Sequence, residues 1–218
     1  MKQLQLKLGR ARLAALGALL LSCAALFGCR SEADPPAAKV FASAQAPGEL
    51  AELGQIGDFS LKDQGGATVT TKTLSGEPWV AAFFFTRCPV VCPRLTAKMR
   101  EVQDQGKQRG LRFRLVSFSV DPDNDTPEQL TAYAKANHVD LANWKLLTGD
   151  YEVVKRTSID SFKLALEGKA DPKADHFGIL HGSHLVLVDA KNQIRGFYRS
   201  EDADVVSRLL TDIKRLSE

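Results

Sequence analysis

An uninterrupted apolar run that stops at a pair of cysteines constrains the fold of this chain more than any other feature. The run, Trp79 to Phe85, is rich in aromatic and β-branched residues and has the length of a strand buried on both faces. Cys88 and Cys92 follow directly, and Pro93 suits the first turn of a helix. The sequence therefore predicts an interior strand, two thiols where that strand ends, and a helix that begins near the second thiol.

The helix after the strand is predicted from apolar spacing. Cys92, Leu95, Met99 and Val102 recur at steps of three and four residues, as they would on one buried helix face. A cysteine in the first turn faces the positive end of the helix dipole, so we expect the pKa of Cys92 to lie below the free value of about 8.5. Because a thiolate is both a nucleophile and a metal ligand, the pair is a candidate for redox chemistry, for metal binding, or for both.

The amino-terminal residues are typical of an export signal or a membrane anchor. Four basic residues precede Leu13 to Cys29, a stretch of seventeen residues without charge. Small residues followed by cysteine occur at Cys23 and at Cys29, and each stretch resembles a bacterial lipobox. We favour lipidation at Cys29 because the linker begins directly after it; an uncleaved anchor is the alternative. The predicted organisation is a signal or anchor over residues 1–29, a flexible Pro- and Ala-rich linker over 30–48, and a folded domain over 49–218.

Charge and cysteine content exclude two classes of protein. The chain has 29 basic and 26 acidic residues, but without residues 1–28 the counts become 25 and 26, and no block of Lys or Arg remains. Nucleic acid is therefore not expected as a partner. Once the amino-terminal segment is set aside, Cys88 and Cys92 are the remaining cysteines, so the domain is not a multi-disulfide scaffold and the pair is interpreted as a functional site.

Strands alternating with helices predict an α/β fold: a mixed central sheet flanked by helices, with an amino-terminal β-hairpin. A cysteine pair where an interior strand meets the next helix is the thioredoxin-like arrangement. The expected elements after the central strand and its helix are a strand within Leu111 to Val120, a helix from Pro127 to about Asn137 capped by Thr126, a strand at Trp144 to Leu147, a helix capped by Asp150, a hairpin from His184 to Tyr198, and a closing helix marked by Val205 to Leu216. Residues 59–70 are predicted to form the first hairpin around Gly65 and Gly66, and residues 163–180 are predicted to be a loop or a short hairpin.

Four stretches in a fixed order resemble a known family. They are Phe84 to Pro89 with Cys92-Pro93, Ser117 to Pro122 with Asp125 to Glu128, Trp144 to Gly149, and His181 through Asp189 to Tyr198. Together they resemble the SCO/SenC family over about residues 50–217. Members of that family are membrane-tethered, thioredoxin-like proteins that bind copper and help to build the dinuclear copper centre of cytochrome c oxidase.

The resemblance implies a set of copper ligands. In the family these are two cysteines separated by three residues and one distant histidine, which carry over to Cys88, Cys92 and His181. The histidine lies eight residues before the residue that opens the turn after its strand, here Asp189; His184 is the alternative ligand. Many relatives have an acid between the cysteines where this chain has Val90, which changes the expected charge of the site but not the number of ligands.

The function implied by the resemblance is that of a copper chaperone. The expected cofactor is copper, as Cu(I) or Cu(II), and the expected partner is the copper-bearing subunit of cytochrome c oxidase or another cuproprotein. Thioredoxin-like reductants are further expected partners. The expected location is the periplasmic side of the bacterial inner membrane, with the domain tethered by a lipid or an amino-terminal anchor.

Two alternatives use the same cysteines. A thiol–disulfide oxidoreductase would reduce the cysteines of the target copper site and needs no histidine. A structural zinc clip would take Cys88, Cys92, His181 and His184, although a His-x2-His pair entering a strand places its side chains on opposite faces. A metallochaperone is favoured over an enzyme because copper would pass by ligand exchange, without turnover of a small substrate.

Acidic residues follow the second interior strand. Asp121, Asp123 and Asp125 are arranged like the start of a calcium loop, but position twelve is Ala132 where such a loop needs Glu. Capping and loop closure are therefore the better interpretation, and Asp121 is expected near the cysteines. Arg87 has two interpretations, a solvated cation or a group that holds the charge of a thiolate.

Overall fold

The computed structural model describes residues 50–164 and 183–217. In chain order the strands are β1 Gly54–Gln55, β2 Ser60–Asp63, β3 Thr68–Thr70, β4 Trp79–Phe84, β5 Arg114–Ser119, β6 Trp144–Thr148, β7 His184–Val188 and β8 Gln193–Arg199. The α-helices are α1 Thr71–Leu74, α2 Val91–Gln108, α3 Pro127–Ala136, α4 Tyr151–Arg156 and α5 Val205–Ser217, and a π-helical turn at Thr157–Ser161 follows α4.

The strands form one mixed sheet in the order β1-β8-β7-β4-β5-β6-β2-β3. Strands β4, β5 and β6 run parallel, whereas β7 runs antiparallel to β4 on its other side. Every residue of β4 is buried, as expected for a strand covered on both faces. The predicted α/β class, the mixed sheet, the central strand and the thioredoxin-like architecture are confirmed.

Side chains of β4 anchor the core on both faces of the sheet. The Phe83 ring stacks on Phe118 at 5.0 Å between centroids and meets Phe162 edge-on at 5.2 Å. The next residue, Phe84, faces the other way, and its ring lies 5.2 Å from that of Tyr133 in α3. Because β4 is packed from both sides, its carboxyl end is a rigid starting point for the loop that carries the cysteines.

The predicted local signals are confirmed where the structure describes them. The hairpin β2–β3 turns at Gly66, whose φ of 79° is the positive value that glycine adopts without strain. The Thr126 side chain accepts a hydrogen bond from the Gln129 N–H at the start of α3, and the Asp150 side chain caps α4 in the same way. Strand β1, helix α1 and the π-helical turn were not predicted. Most of the predicted loop at 163–180 lies outside the described residues.

Candidate metal centre

Both cysteines lie at the carboxyl end of β4, where the sequence predicts them. The Cys88 N–H donates to the carbonyl of Phe85 at 3.3 Å, which turns the chain away from the sheet before α2 begins at Val91. Cys92 is the second residue of α2 and is fully buried, whereas Cys88 retains 8% exposure. No disulfide joins the two residues. The structure therefore presents a pair of buried thiols, of which Cys88 is the slightly more exposed.

The sulfur of Cys88 takes the place of a helix cap. Val90, the residue at the N-cap position, makes no side-chain capping bond, and Pro93 has no N–H to satisfy. The Cys92 N–H instead donates to Sγ of Cys88 at 3.3 Å. One of the backbone N–H groups left free at the start of α2 is therefore satisfied by a cysteine sulfur.

The expected low pKa of Cys92 is wrong. Burial raises the pKa of the Cys92 thiol well above its usual range, and hydrogen bonding to Cys88 together with the nearby charge of Asp125 raises it further, against a lowering hydrogen bond from the Phe85 backbone. A helix dipole contributes at most about 2 kcal/mol, which corresponds to about 1.5 pKa units. Full burial shifts a pKa by up to about 3–5 units, so burial outweighs the dipole and Cys92 is a thiol at neutral pH.

His181, the predicted third ligand, lies outside the described residues. Strand β7, which begins at His184, runs antiparallel to β4, so its start lies at the same end of the sheet as the end of β4. His184, the alternative ligand, is the first residue of β7 and is half-buried. Burial lowers the pKa of His184, the charge of Glu201 opposes this, and the imidazole therefore favours its neutral form.

The described residues alone do not assemble a complete metal site. Within 50–164 and 183–217, no three histidine, cysteine or acidic side chains are grouped so that they could hold a metal ion. His184 therefore does not complete a site with Cys88 and Cys92 in this arrangement. The ligand roles of Cys88, Cys92 and His181 stay predictions, and so does the four-ligand zinc clip.

Arg87 is paired with a carboxylate, an outcome that neither sequence interpretation named. Its guanidinium donates through Nη2 at 2.8 Å and through Nε at 3.2 Å to Oδ2 of Asp121, and Asn124 donates to Oδ1 of the same carboxylate at 2.8 Å. The Asp121 side chain is 3% exposed. Asp121 therefore fixes Arg87, the residue directly before Cys88.

Tyr133 and Thr96 belong to the surroundings of the pair and were not predicted. Their hydroxyls are hydrogen-bonded at 2.7 Å, which joins α2 to α3. Burial raises the pKa of Tyr133 to about 12, against the bond from Thr96, and the charges of both cysteines and Asp125 add to the increase. The sequence places Thr96 one turn after Cys92, but nothing in it indicates that Tyr133 lies alongside.

The amino-terminal predictions fall outside the described part of the chain. The signal or anchor, Cys29 and the linker all precede residue 50. Among the helices that the structure describes, none combines the length and the apolar character needed to cross a bilayer. Tethering therefore remains a prediction.

Comparison with known proteins supports the resemblance found in the sequence. A family model described as SCO1/SenC matches residues 49–218. The structure is similar to that of a SCO1/SenC family lipoprotein from Bacillus anthracis, with 35% identity, a TM-score of 0.69, and coverage of 76% of this chain and 96% of that one.

Two further solved structures are informative. BsSco, described as a member of the Sco family of cytochrome c oxidase assembly proteins with a disulfide switch, has 30% identity and a TM-score of 0.70 over 79% of this chain and 98% of its own. Arabidopsis thaliana ScoI with copper bound has 26% identity and a TM-score of 0.62 over 73% of this chain and 98% of its own.

Proposed function

Because the chain belongs to the SCO1/SenC family, we propose that it is a copper chaperone that delivers copper to the copper centre of cytochrome c oxidase. In this proposal Cys88, Cys92 and His181 bind one copper ion. The observation that carries the proposal is the pair of thiols at the end of β4, hydrogen-bonded through the Cys92 N–H and backed by a rigid sheet. The copper-bound relative from Arabidopsis thaliana supports copper as the metal.

The donor set suits copper in both oxidation states. Thiolates are soft ligands that prefer Cu(I), and an imidazole allows the same site to hold Cu(II). Copper binding requires that each thiol lose its proton, so binding releases protons and strengthens as the pH rises. Because burial keeps Cys92 protonated, this dependence should extend above neutral pH.

The unequal exposure of the two sulfurs gives an order to copper transfer. Both sulfurs are buried, but Cys88 retains 8% exposure and Cys92 none, so an incoming copper ion or a partner's thiolate meets Cys88 first. Val90 and Val91, between the cysteines, are 50% and 41% exposed and provide an apolar contact beside the sulfurs. Transfer would proceed by exchange of one ligand at a time, with the bond to buried Cys92 broken last.

A second candidate function is reduction of the target's cysteines. In that reaction a thiolate of this chain attacks the target disulfide, a mixed disulfide forms, and the second cysteine resolves it, leaving a disulfide here and two thiols on the target. The slightly greater exposure of Cys88 favours attack by Cys88 and resolution by Cys92. The disulfide switch described for BsSco supports this alternative.

The proposal includes a tethered, periplasmic location with a lipid on Cys29. The Bacillus anthracis relative is described as a lipoprotein, which supports a membrane tether. Mass spectrometry of the protein from membranes should find an acylated Cys29 at the amino terminus, and Cys29→Ser should abolish the modification. An intact amino terminus that begins at Met1 would show an uncleaved anchor instead.

Competition for Cu(I) against a chelator of known affinity tests the proposed function. The full-length chain in detergent is compared with Cys92→Ser, His181→Ala and His184→Ala. Weaker binding in the first two variants, with His184→Ala unchanged, is the expected result. Weaker binding in His184→Ala would move the third ligand to that residue.

Two other outcomes of the same experiment would contradict the chaperone function. Disulfide reductase activity without tight copper binding would favour the oxidoreductase. Zinc that stays bound through purification, and is lost in either histidine variant, would favour the structural clip.

A further inference from the structure

A buried carboxylate beside the cysteines has no role in the function proposed above. Asp125, in the loop between β5 and α3, is fully buried. It accepts hydrogen bonds from the Thr86 N–H at 3.1 Å, from the Thr86 hydroxyl at 2.5 Å and from the Ser119 hydroxyl at 2.5 Å. Thr86 and Ser119 lie in separate segments, so one carboxylate ties the start of the cysteine loop to the end of β5.

Hydrogen bonds, not a counter-ion, balance the charge of this carboxylate. No Lys or Arg of residues 50–164 and 183–217 forms an ion pair with Asp125, and the nearby guanidinium of Arg87 pairs with Asp121. An ionised carboxylate in the protein interior is costly unless donors surround it. Burial raises the pKa of Asp125, against the bonds from Ser119 and Thr86. The carboxylate and Thr86 therefore hold each other in place.

The segment that Asp125 holds is the one that sets the position of Cys88. The Val120 N–H donates to the Phe84 carbonyl at 2.9 Å, so the chain is fixed at Phe84, at Thr86 and, through Asp121, at Arg87. Beyond Cys88 the loop is open, with Val90 half exposed. Cys88 thus follows a segment held by hydrogen bonds, Phe84 to Arg87, and precedes an exposed segment at Val90 and Val91.

We propose that Asp125 is a positioning residue that holds Cys88 in the dithiol arrangement and opposes closure of the pair to a disulfide. Closing the pair to a disulfide takes Cys88 Sγ from the Cys92 N–H, where it accepts a hydrogen bond at 3.3 Å, onto the Cys92 sulfur, with the two Cβ atoms about 3.8 Å apart. Because Cys92 is held within α2, the adjustment falls on the loop that carries Cys88. That movement strains the bonds between Thr86 and Asp125. The inference deepens the proposed copper function, because the same arrangement is the one that would receive the metal.

The equilibrium with glutathione measures this effect directly. In that reaction the dithiol and oxidised glutathione give the intramolecular disulfide and two molecules of reduced glutathione. The loss of one hydrogen bond to a charged group changes an equilibrium constant by roughly tenfold. Asp125→Asn and Thr86→Val should therefore shift the equilibrium roughly tenfold toward the disulfide, about 30 mV in reduction potential. Both should also weaken Cu(I) binding by a similar factor.

Matched controls separate positioning from general stability. Thr86→Ser keeps the hydroxyl, and Asp123→Asn makes the same chemical change at an exposed position of the same loop; both should stay within about twofold of the wild-type constants. Urea unfolding of each variant reports stability independently. If Asp125→Asn does not fold, Ser119→Ala is the second test and should give a shift in the same direction. It removes one donor to Asp125 and also the acceptor of the Asp121 N–H.

Two results would overturn the inference. The first is that Asp125→Asn and Thr86→Val lose stability but keep the wild-type equilibrium constants for glutathione and for copper. The hydrogen bonds of Asp125 would then be purely structural. The other is an equal shift in Asp123→Asn. Wild-type protein that does not bind copper would refute the proposed function alone, because the glutathione equilibrium tests the positioning role without metal.

Discussion

Asn192 should be one of the most sensitive positions in the domain, because it holds the turn of β7–β8 against the start of β4. Its Oδ1 accepts a hydrogen bond from Nε1 of Trp79 at 3.1 Å, and its Nδ2 donates to the Thr71 carbonyl at 3.1 Å and to the Ser75 hydroxyl at 2.7 Å. The backbone of Asn192 has a φ of 63°, in the left-handed region. One side chain thus joins three elements from a strained turn.

The cost of Asn192→Ala follows from these contacts. Alanine in the left-handed region costs roughly 1–2 kcal/mol. The indole N–H of Trp79, which is fully buried, would lose its acceptor, at a cost of about 1–3 kcal/mol. The expected loss is therefore about 2–5 kcal/mol of unfolding free energy, or a decrease of roughly 5–15 °C in Tm for a domain of this size.

Urea unfolding followed by circular dichroism measures the loss, and two further variants divide it. Asn192→Gly removes the side chain but relieves the backbone, so it should recover roughly 1 kcal/mol relative to alanine. In a double-mutant cycle with Trp79→Phe, the coupling between the two positions should be roughly 1 kcal/mol. An Asn192→Ala variant within about 0.5 kcal/mol of wild type would refute the assigned role of the turn.

Three further changes test the packing and the electrostatics. Gly106→Ala would place a Cβ 2.4 Å from the ring of Phe113, and this clash outweighs the gain in helix propensity. We expect the free energy of unfolding, measured in urea, to fall by roughly 1–2 kcal/mol. An unchanged urea midpoint would contradict the packing. Because the pKa of Cys92 is raised in the folded state, its thiol ionises in the unfolded chain first, above about pH 8.5. The free energy of unfolding should therefore decline as the pH rises above that value, and Cys92→Ala should lack this decline. Burial raises the pKa of Asp63, but the hydrogen bonds from Lys145 and from two backbone N–H groups lower it by more, so the net shift is downward. The free energy of unfolding should therefore fall as the pH drops below about 4. Asp63→Asn should reduce that fall, and a variant whose unfolding free energy falls with pH as steeply as the wild type's would disprove the assignment.

The central strand and its cysteines could be predicted because their signal is local. An apolar run such as Trp79–Phe84 can satisfy its backbone and bury its side chains only inside a sheet, and the cysteines follow it directly. Helix starts at Thr126 and Asp150 were equally predictable, since a capping side chain acts on the next turn of its own helix.

The missed elements depend on partners far away in the sequence. Strand β1 has only two residues, Gly54 and Gln55, and exists because it pairs with β8 about 140 positions later. The π-helical turn after α4 has no local signal either. Among the acids of the loop after β5, the sequence could not tell that Asp125 is buried, because its partner Thr86 is 39 positions away.

The error over Cys92 has the same origin. The helix dipole can be predicted from position alone, whereas burial of a sulfur depends on every element that packs around it. Here α2 buries Cys92 completely, and burial changes the pKa more than the helix dipole does. Burial was the effect that could not be predicted from the sequence.

X-ray absorption spectroscopy of the copper-loaded, full-length protein tests the central claim most directly. The claim predicts a copper ion with two sulfur ligands and one nitrogen ligand, the nitrogen disappearing in His181→Ala and remaining in His184→Ala. A spectrum with only sulfur ligands, or one that His181→Ala leaves unchanged, would contradict a copper site built from Cys88, Cys92 and His181.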